Sequence, residues 1–233
     1  MEVAVLIPCY NEEKTVAKVV NDFKKYLPNS KIYVYDNNST DNTYKEAIKA
    51  GAIVRKSTIQ GKGNVVKDMF NNINADIYIM ADGDGTYPAN RAKEMIKIIK
   101  NKNADMVIGD RLSSNYHKDN KRQFHSFGNE LIKEIVNYFY EAEIADIMTG
   151  YRAFSKNFVK YVKNKIKSQE FEIETELTIM ALEKHMNIVS LPIEYGQRPQ
   201  GSVSKLSTMQ DGFKIIRFIL KRLLSYSNKK RAF

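Results

Sequence analysis

Short apolar runs set off by polar punctuation open the chain, and they alternate with longer stretches whose apolar residues recur every three or four positions. The runs Val3–Pro8, Ile32–Asp36, Ala52–Arg55, Asp76–Ala81 and Asp105–Gly109 are rich in β-branched residues and too short for helices, so they predict strands. Between them, Glu12–Tyr26, Asp41–Ala50, Gly63–Ile73 and Asn90–Lys100 predict helices. Strand, polar turn and helix in repeated succession predict βαβ units: an α/β protein with a Rossmann-like, mostly parallel sheet flanked by helices. The pattern changes after Arg111. A polar loop at Ser113–Gln123 leads to a helix near Phe127–Glu141, a strand in GYRAF and a helix around Glu172–His185. The strand NIVSLPIEY, the loop GQRPQGSVSK and an amphipathic helix from Thr208 to about Leu224 follow. With no internal repeat or low-complexity linker, the expectation is one continuous domain over residues 1–207 and a basic C-terminal helix over 208–233.

Composition narrows the class. A chain of 233 residues, 43% apolar and 27% charged, can bury a sizeable core as a globular protein. Cys9 is the only cysteine, which excludes an internal disulfide framework, fits a reducing compartment and reads as a packed thiol. VAVLIP lacks the basic flank of a leader peptide, and no apolar run approaches the ~20 residues that span a bilayer, so a cytoplasmic location is expected. The net charge of +10 is concentrated in residues 201–233, where eight Lys and Arg face one acid, Asp211. Phe213, Ile216, Leu220 and Leu223/Leu224 recur there at helical spacing, with Lys214, Lys221 and Arg222 largely off that stripe. Two readings stand for this helix: a membrane-surface element, or a terminal helix docked on its own domain.

Ligands of open parallel sheets bind at the carboxyl ends of the strands. Those ends read PCYNEE, DNNSTD, ADGDGTYP and GDR, and their polar residues converge on one edge. PCYNEE has no glycine for a dinucleotide fingerprint, and QGKGN is the nearest approach to a P-loop. Asp36 either accepts hydrogen bonds from a ribose or caps the turn in DNNSTD. Asp82 and Asp84 flank Gly83, and a regular strand would place both on one face. Alone, Asp-Gly-Asp is more often a structural turn; among these strand ends it suits a hard divalent cation that keeps positions open for phosphate oxygens. His117, His125 and His185 lack metal-ligand spacing.

In order and spacing these motifs resemble the family 2 glycosyltransferases with a GT-A fold, and among them the polyprenyl-phosphate sugar synthases of the dolichyl-phosphate mannose synthase type. The resemblance runs from IPCYNEE to RPQGSVSK, through VYDNNSTDNT, GKG, ADGDGTYP, GDR and DIMTGYRAF. It implies that Pro8, Tyr10, Glu12 and Asp36 hold base and ribose and that Lys62, in GKG, belongs to a donor-phosphate loop. It implies that Asp82 and Asp84, with Gly83 between them, hold Mg²⁺ or Mn²⁺. It further implies that Arg111, Arg152, Arg198, Ser202 and Lys205 face phosphates. Thr86 stands where related enzymes often carry glutamine, and NNS where Asp-Gly-Ser is commoner.

The activity so implied is an inverting single displacement, moving a hexose from a UDP- or GDP-sugar to a polyprenyl phosphate at the cytoplasmic membrane surface. Asp84, Arg111 and Glu172 are its expected catalytic residues. A saccharide hydroxyl acceptor is the alternative, and it would require a carboxylate base, for which Glu172 and Glu176 are the candidates. A nucleic-acid-binding module would leave the acidic strand ends unexplained and lacks a recognition motif, so nucleic acid is not an expected partner. A nucleotidyltransferase is the closer rival, distinguished by releasing pyrophosphate.

Overall fold

The computed structural model describes residues 1–113, 123–199, 212 and 215–223. Its strands are β1 (Val3–Cys9), β2 (Lys31–Asp36), β3 (Ile53–Lys56), β4 (Ile77–Met80), β5 (Met106–Asp110), β6 (Arg152–Ser155) and β7 (Ile188–Pro192). They form one seven-stranded sheet in the order β3-β2-β1-β4-β6-β5-β7. β6 runs antiparallel to β4 and β5, and the other pairings are parallel. The helices are α1 (Val16–Tyr26), α2 (Thr43–Lys49), α3 (Lys62–Asn72), α4 (Ala92–Asn101), α5 (Gln123–Tyr140), α6 (Lys156–Val162) and α7 (Ile173–Glu183). Residues 215–223 are helical as well and are called α8.

Both faces of the sheet are covered, which is why its central strands are apolar without alternation. Along β1, Val3, Val5, Ile7 and Cys9 enter one core while Ala4 and Leu6 enter the other. β4 splits the same way, Ile77 and Ile79 against Tyr78 and Met80. The first core is closed by α1, whose Val16, Val19, Val20 and Phe23 recur at helical spacing. The second is closed by α3, α5, α6, α7 and α8.

One helix starts later than expected, and one helix is additional. α1 starts at Val16 because residues 12–15 form a turn, in which the Thr15 and Val16 N–H groups both donate to the Glu12 carbonyl. α6 was not expected; it begins where Ser155 Oγ accepts from the Phe158 N–H at 3.1 Å, and it is too short to show a period.

The C-terminal helix is corrected in part: Leu223 and the half-buried Ile216 face the core as the expected stripe does, but Ile215 and Ile219 join it and Leu220 does not. The buried stripe of α8 is Ile215, Ile219 and Leu223, packed into the protein's own core, while Leu220 is 51% exposed. Arg222 turns inward to Glu176 and Glu183. The described part of the helix is therefore docked on its domain; Phe213, Lys214 and Leu224 lie outside the described residues.

Candidate active site

The carboxyl ends of β1, β2 and β4 lie side by side, and the loops after β1 and β2 are stapled together by short polar side chains. Asn11 N–H donates to Ser39 Oγ, Glu12 N–H to Thr43 Oγ1 and Glu13 N–H to Asp41 Oδ2, while Asn11 Oδ1 accepts from the Thr40 N–H. Asn11 and Asn38 make these turns with φ of 53° and 60°, a region asparagine tolerates. The stapling carries Pro8, Tyr10, Glu12 and Asp36 to one corner. Asp36 is 3% exposed, and its Oδ1 is buried without a hydrogen-bond partner. A carboxylate oxygen in that condition is costly unless a ligand donor reaches it, as a ribose hydroxyl would.

Next to Asp36, Asn37 organises the approach to the phosphate region. Its Nδ2 donates to the carbonyls of Ser57 and Ile59, and its Oδ1 accepts from the Gly61 N–H at 2.8 Å. Gly61 and Gly63 are required by proximity: a Cβ on either would meet the backbone carbonyl of Gln169 or Ser168 at 2.2 or 2.5 Å. The start of α3 is thus pressed against the segment leading into α7, and Lys62 is clamped between the two layers.

Lys62 Nζ lies 2.6 Å from Asp82 Oδ1 and 2.5 Å from Glu174 Oε1. Burial alone would push the ammonium down, but the Asp82 and Glu174 carboxylates override it and its pKa moves up. Asp84 has parallel support. Its Oδ1 accepts from the Thr86 hydroxyl at 2.6 Å and the Thr86 N–H at 3.1 Å, and its Oδ2 meets Arg198 Nη2 at 2.7 Å. Thr86 is thereby a support for Asp84. Behind Asp82 stands Gly150, where a Cβ would come 2.6 Å from Asp82 Oδ2. Gly83 sits equally close to Cys9, whose Sγ a Cβ would meet at 2.5 Å, so that thiol is a packed wall and burial pushes its pKa up.

Arg111 is held by a fork. Its Nε and Nη2 donate to Asp146 Oδ2 and Oδ1 at 2.7 and 3.0 Å, and its guanidinium lies 5.3 Å from the Tyr195 ring centre. Burial would raise the Asp146 carboxyl, but Arg111 and Asn129 hold it below the usual carboxylate range. Tyr87 stacks on Tyr151, and its hydroxyl accepts from the Gly150 N–H at 2.9 Å, tying the DGDG loop to the DIMTGYR segment.

Two expected site residues are not where the sequence suggested. Arg152 does not face phosphates: it is fully buried, with its guanidinium donating to the Thr149 and Ile147 carbonyls, Thr178 Oγ1 and Met106 Sδ. Burial pushes its pKa down to about 10, so it remains a cation that braces the interior at neutral pH. Glu172 accepts from the Gln169 N–H at 3.1 Å and serves as a local turn cap, not as a base poised over the carboxylates. Glu176, the other candidate, is fully buried and accepts from Lys167, Ser168 and Arg222. The acid that does reach the site is Glu174, which the sequence reading missed. Its signal was an acidic residue inside the apolar run IETELTIMA, every residue of which is buried in α7; an acid there requires a cationic partner. Ser202 and Lys205 lie outside the described residues.

The donor set fits a hard divalent cation. Asp82 and Asp84 offer carboxylate oxygens, and positive charge is already favoured there, since Lys62 and Arg198 stand against them. Among the described residues no third acid or imidazole joins them, so the remaining coordination would come from diphosphate and water.

The sequence profile described as Glycosyl transferase family 2 matches residues 4–163. Glycosyltransferase AglJ of Haloferax volcanii is 32% identical over 211 residues, covering 90% of this chain and 68% of its own length. The dolichyl-phosphate hexose transferase of the same organism is 26% identical over 220 residues, covering 94% and 93%. Among solved structures, glucosyl-3-phosphoglycerate synthase of Mycobacterium tuberculosis, crystallised with Mn²⁺, UDP and glucosyl-3-phosphoglycerate, superposes with a TM-score of 0.76. It is 17% identical and covers 95% of this chain and 80% of that one, which shows the shared GT-A fold.

Proposed function

The chain belongs to glycosyl transferase family 2 and is a glycosyltransferase; from that premise we propose that it moves a hexose from a nucleoside diphosphate sugar to the phosphate of a polyprenyl phosphate. One observation carries the reading: Asp82 and Asp84 meet Lys62 and Arg198 at the sheet edge where Asp36 also ends its strand. In this reading Asp36 takes the ribose, while Pro8, Tyr10 and Glu12 wall the base. Lys62, Arg111 and Arg198 face the phosphates. Mg²⁺ or Mn²⁺ at Asp82 and Asp84 would neutralise charge on the departing diphosphate.

A phosphate oxygen of the acceptor attacks the anomeric carbon, the bond from that carbon to the donor's β-phosphate oxygen breaks, and the nucleoside diphosphate leaves with the electron pair. Fixed cations beside the leaving oxygen stabilise it without reorganising. A phosphate monoester has a second pKa of about 6, so at neutral pH this acceptor needs no general base. The engagement of Glu172 and Glu176 elsewhere favours it over a saccharide hydroxyl, which would need one. The dolichyl-phosphate transferase among the relatives supports the same choice. A membrane-facing side is supported by exposed apolar residues on α5 and α8: Leu131, Tyr138, Phe139 and Leu220. Among the described residues, no helix is long and apolar enough to cross a bilayer. Residues 1–207 would then form the transferase unit and 208–233 its basic flank, peripheral on the cytoplasmic face.

The test is product analysis with UDP-, GDP- and dTDP-hexoses, Mn²⁺ and a short-chain polyprenyl phosphate. The expected result is a lipid-linked sugar and nucleoside diphosphate in equal amounts. Transfer only to free saccharides, or release of pyrophosphate, would overturn the reading.

A further inference from the structure

Lys62 touches both a carboxylate of the Asp-Gly-Asp turn and a buried acid from another layer of the fold. With its side chain 12% exposed and Glu174's 4%, the second contact is enclosed, whereas Asp82's is 26% exposed and opens to the site. We propose that Lys62 is a built-in counter-cation of Asp82 that yields this carboxylate to a divalent cation only when a donor diphosphate arrives to receive the ammonium. Glu174 is the positioning residue that keeps Lys62 in the site throughout the exchange. The inference rests on the donor reading above and adds a coupling between metal and nucleotide.

The physical case is one of charge and reach. Asp82 Oδ1 cannot coordinate a divalent cation well while an ammonium lies 2.6 Å away, because the two positive charges repel at short range in a poorly solvated pocket. Metal entering alone must displace Lys62 from Asp82 and leave it one partner short. A diphosphate entering with the metal supplies anionic oxygens to replace what Asp82 gave. Glu174 makes the exchange local. It sits on a helix buried around its whole circumference and cannot follow the lysine. The GKG backbone is fixed against residues 168 and 169 by the close approach at Gly61 and Gly63 and by the Asn37–Gly61 hydrogen bond. Held from behind, Lys62 exchanges one front partner for another without leaving the site. Two ligands that each relieve a cost of binding the other are positively and reciprocally coupled.

The test measures binding and not turnover. Mn²⁺ binding to the full chain, followed by loss of the free-ion EPR signal, is titrated without and with UDP, and with GDP as the second nucleotide. Four proteins are compared: the natural chain, Lys62→Met, Glu174→Gln and the doubly substituted chain. The last removes the Lys62 and Glu174 charges together, so Glu174 is not left buried without its ammonium, and Arg152 keeps the Asp146 carboxylate nearby; it therefore guards against a folding failure of Lys62→Met. In the natural chain Mn²⁺ alone binds weakly and nucleotide tightens it. Lys62→Met tightens Mn²⁺ alone, by about 10-fold for one displaced charge-assisted contact, and shrinks the gain from nucleotide. Glu174→Gln weakens Mn²⁺ in the natural background, where Lys62 then clings to Asp82 alone, and has no effect once Lys62 is Met. No tightening in Lys62→Met, or an equal effect of Glu174→Gln in both backgrounds, overturns the inference while leaving the donor reading intact. A natural chain that binds neither nucleotide with or without Mn²⁺ overturns the donor reading, and this coupling with it.

Discussion

A Cβ at Gly150 would stand 2.6 Å from Asp82 Oδ2, closer than carbon and oxygen pack, and that oxygen belongs to a carboxylate on which the proposed metal site depends. Nothing else about Gly150 demands glycine, since its φ is not in the left-handed region. Gly150→Ala should therefore leave the fold intact and turn Asp82 out of place. The expectation is a loss of Mn²⁺-dependent nucleotide binding of about 10-fold or more, for one misplaced charged ligand, with an unchanged melting temperature. Unaltered binding would mean that the carboxylate moves aside at no cost. Legibility at this scale follows how local the signal is. Asp82 and Asp84 could be singled out because two acids around a glycine at a strand end have few uses. Arg152 could not be placed correctly because partners distant in the chain set its role, and Glu172 because a hydrogen bond three residues away holds it in a local turn. Arg152 answers to Thr178, while Glu172 precedes the first residue of α7 and Glu174, two positions on, is the acid that meets Lys62. Neighbouring positions on a helix point about 100° apart, so a motif that names the helix does not name the residue.

Between elements, the pair Arg111–Asp146 joins the end of β5 to the segment entering β6, and Asn129 of α5 adds a third strut at 3.3 Å. Asp146 is fully buried, and its folded pKa lies below the unfolded value. A carboxylate depressed in the folded state contributes stability that is complete above the unfolded pKa of about 4 and is lost as pH falls through the folded value. Asp146→Asn should then lower stability by about 2 kcal/mol at pH 7, read from urea midpoints, and by progressively less as the pH falls below about 4. A deficit of the same size at pH 7 and at pH 3 would show that shape, and not charge, is what Asp146 supplies. The elements themselves were largely readable. β1, β2 and β4 are apolar runs ended by polar turns, and α1 and α4 carry wide apolar stripes. What periodicity could not give was α6, one short turn pair with no stripe to count, and the burial of α7. There the apolar and polar residues are enclosed alike, so no face distinguishes itself.

At the scale of the molecule, order along the chain predicted a mostly parallel sheet but not its one reversal. β6 enters between β4 and β5 antiparallel to both, with α5 before it and α6 after it packed into the same core. That reversal brings Gly150 and Tyr151 under the Asp-Gly-Asp turn, so the second half of the chain completes a site begun by the first. The second half also covers the sheet with α5, α7 and α8, and it leaves an apolar fringe outward. Tyr138 is 82% exposed, Phe139 51% and Leu220 51%, and Arg217 and Lys221 are exposed beside Leu220. The stripe of α8 that could have entered a bilayer is turned into the core, so the tail's charge can steer the protein to an anionic surface but cannot anchor it by that stripe. Apolar contact would have to come from the α5 fringe, where aromatic side chains suit the interface between water and lipid. Vesicles containing anionic lipid should therefore bind the full chain at low salt and release much of it as ionic strength rises, since charges beyond about 10 Å are screened at 0.1 M. Replacing Tyr138 and Phe139 by Ser should cut partitioning by about 10-fold at any salt, because burying two rings contributes at least about 1.4 kcal/mol, without altering nucleotide binding. Equal partitioning of the substituted and natural chains would remove α5 from the contact, and binding that ignores salt would remove the tail.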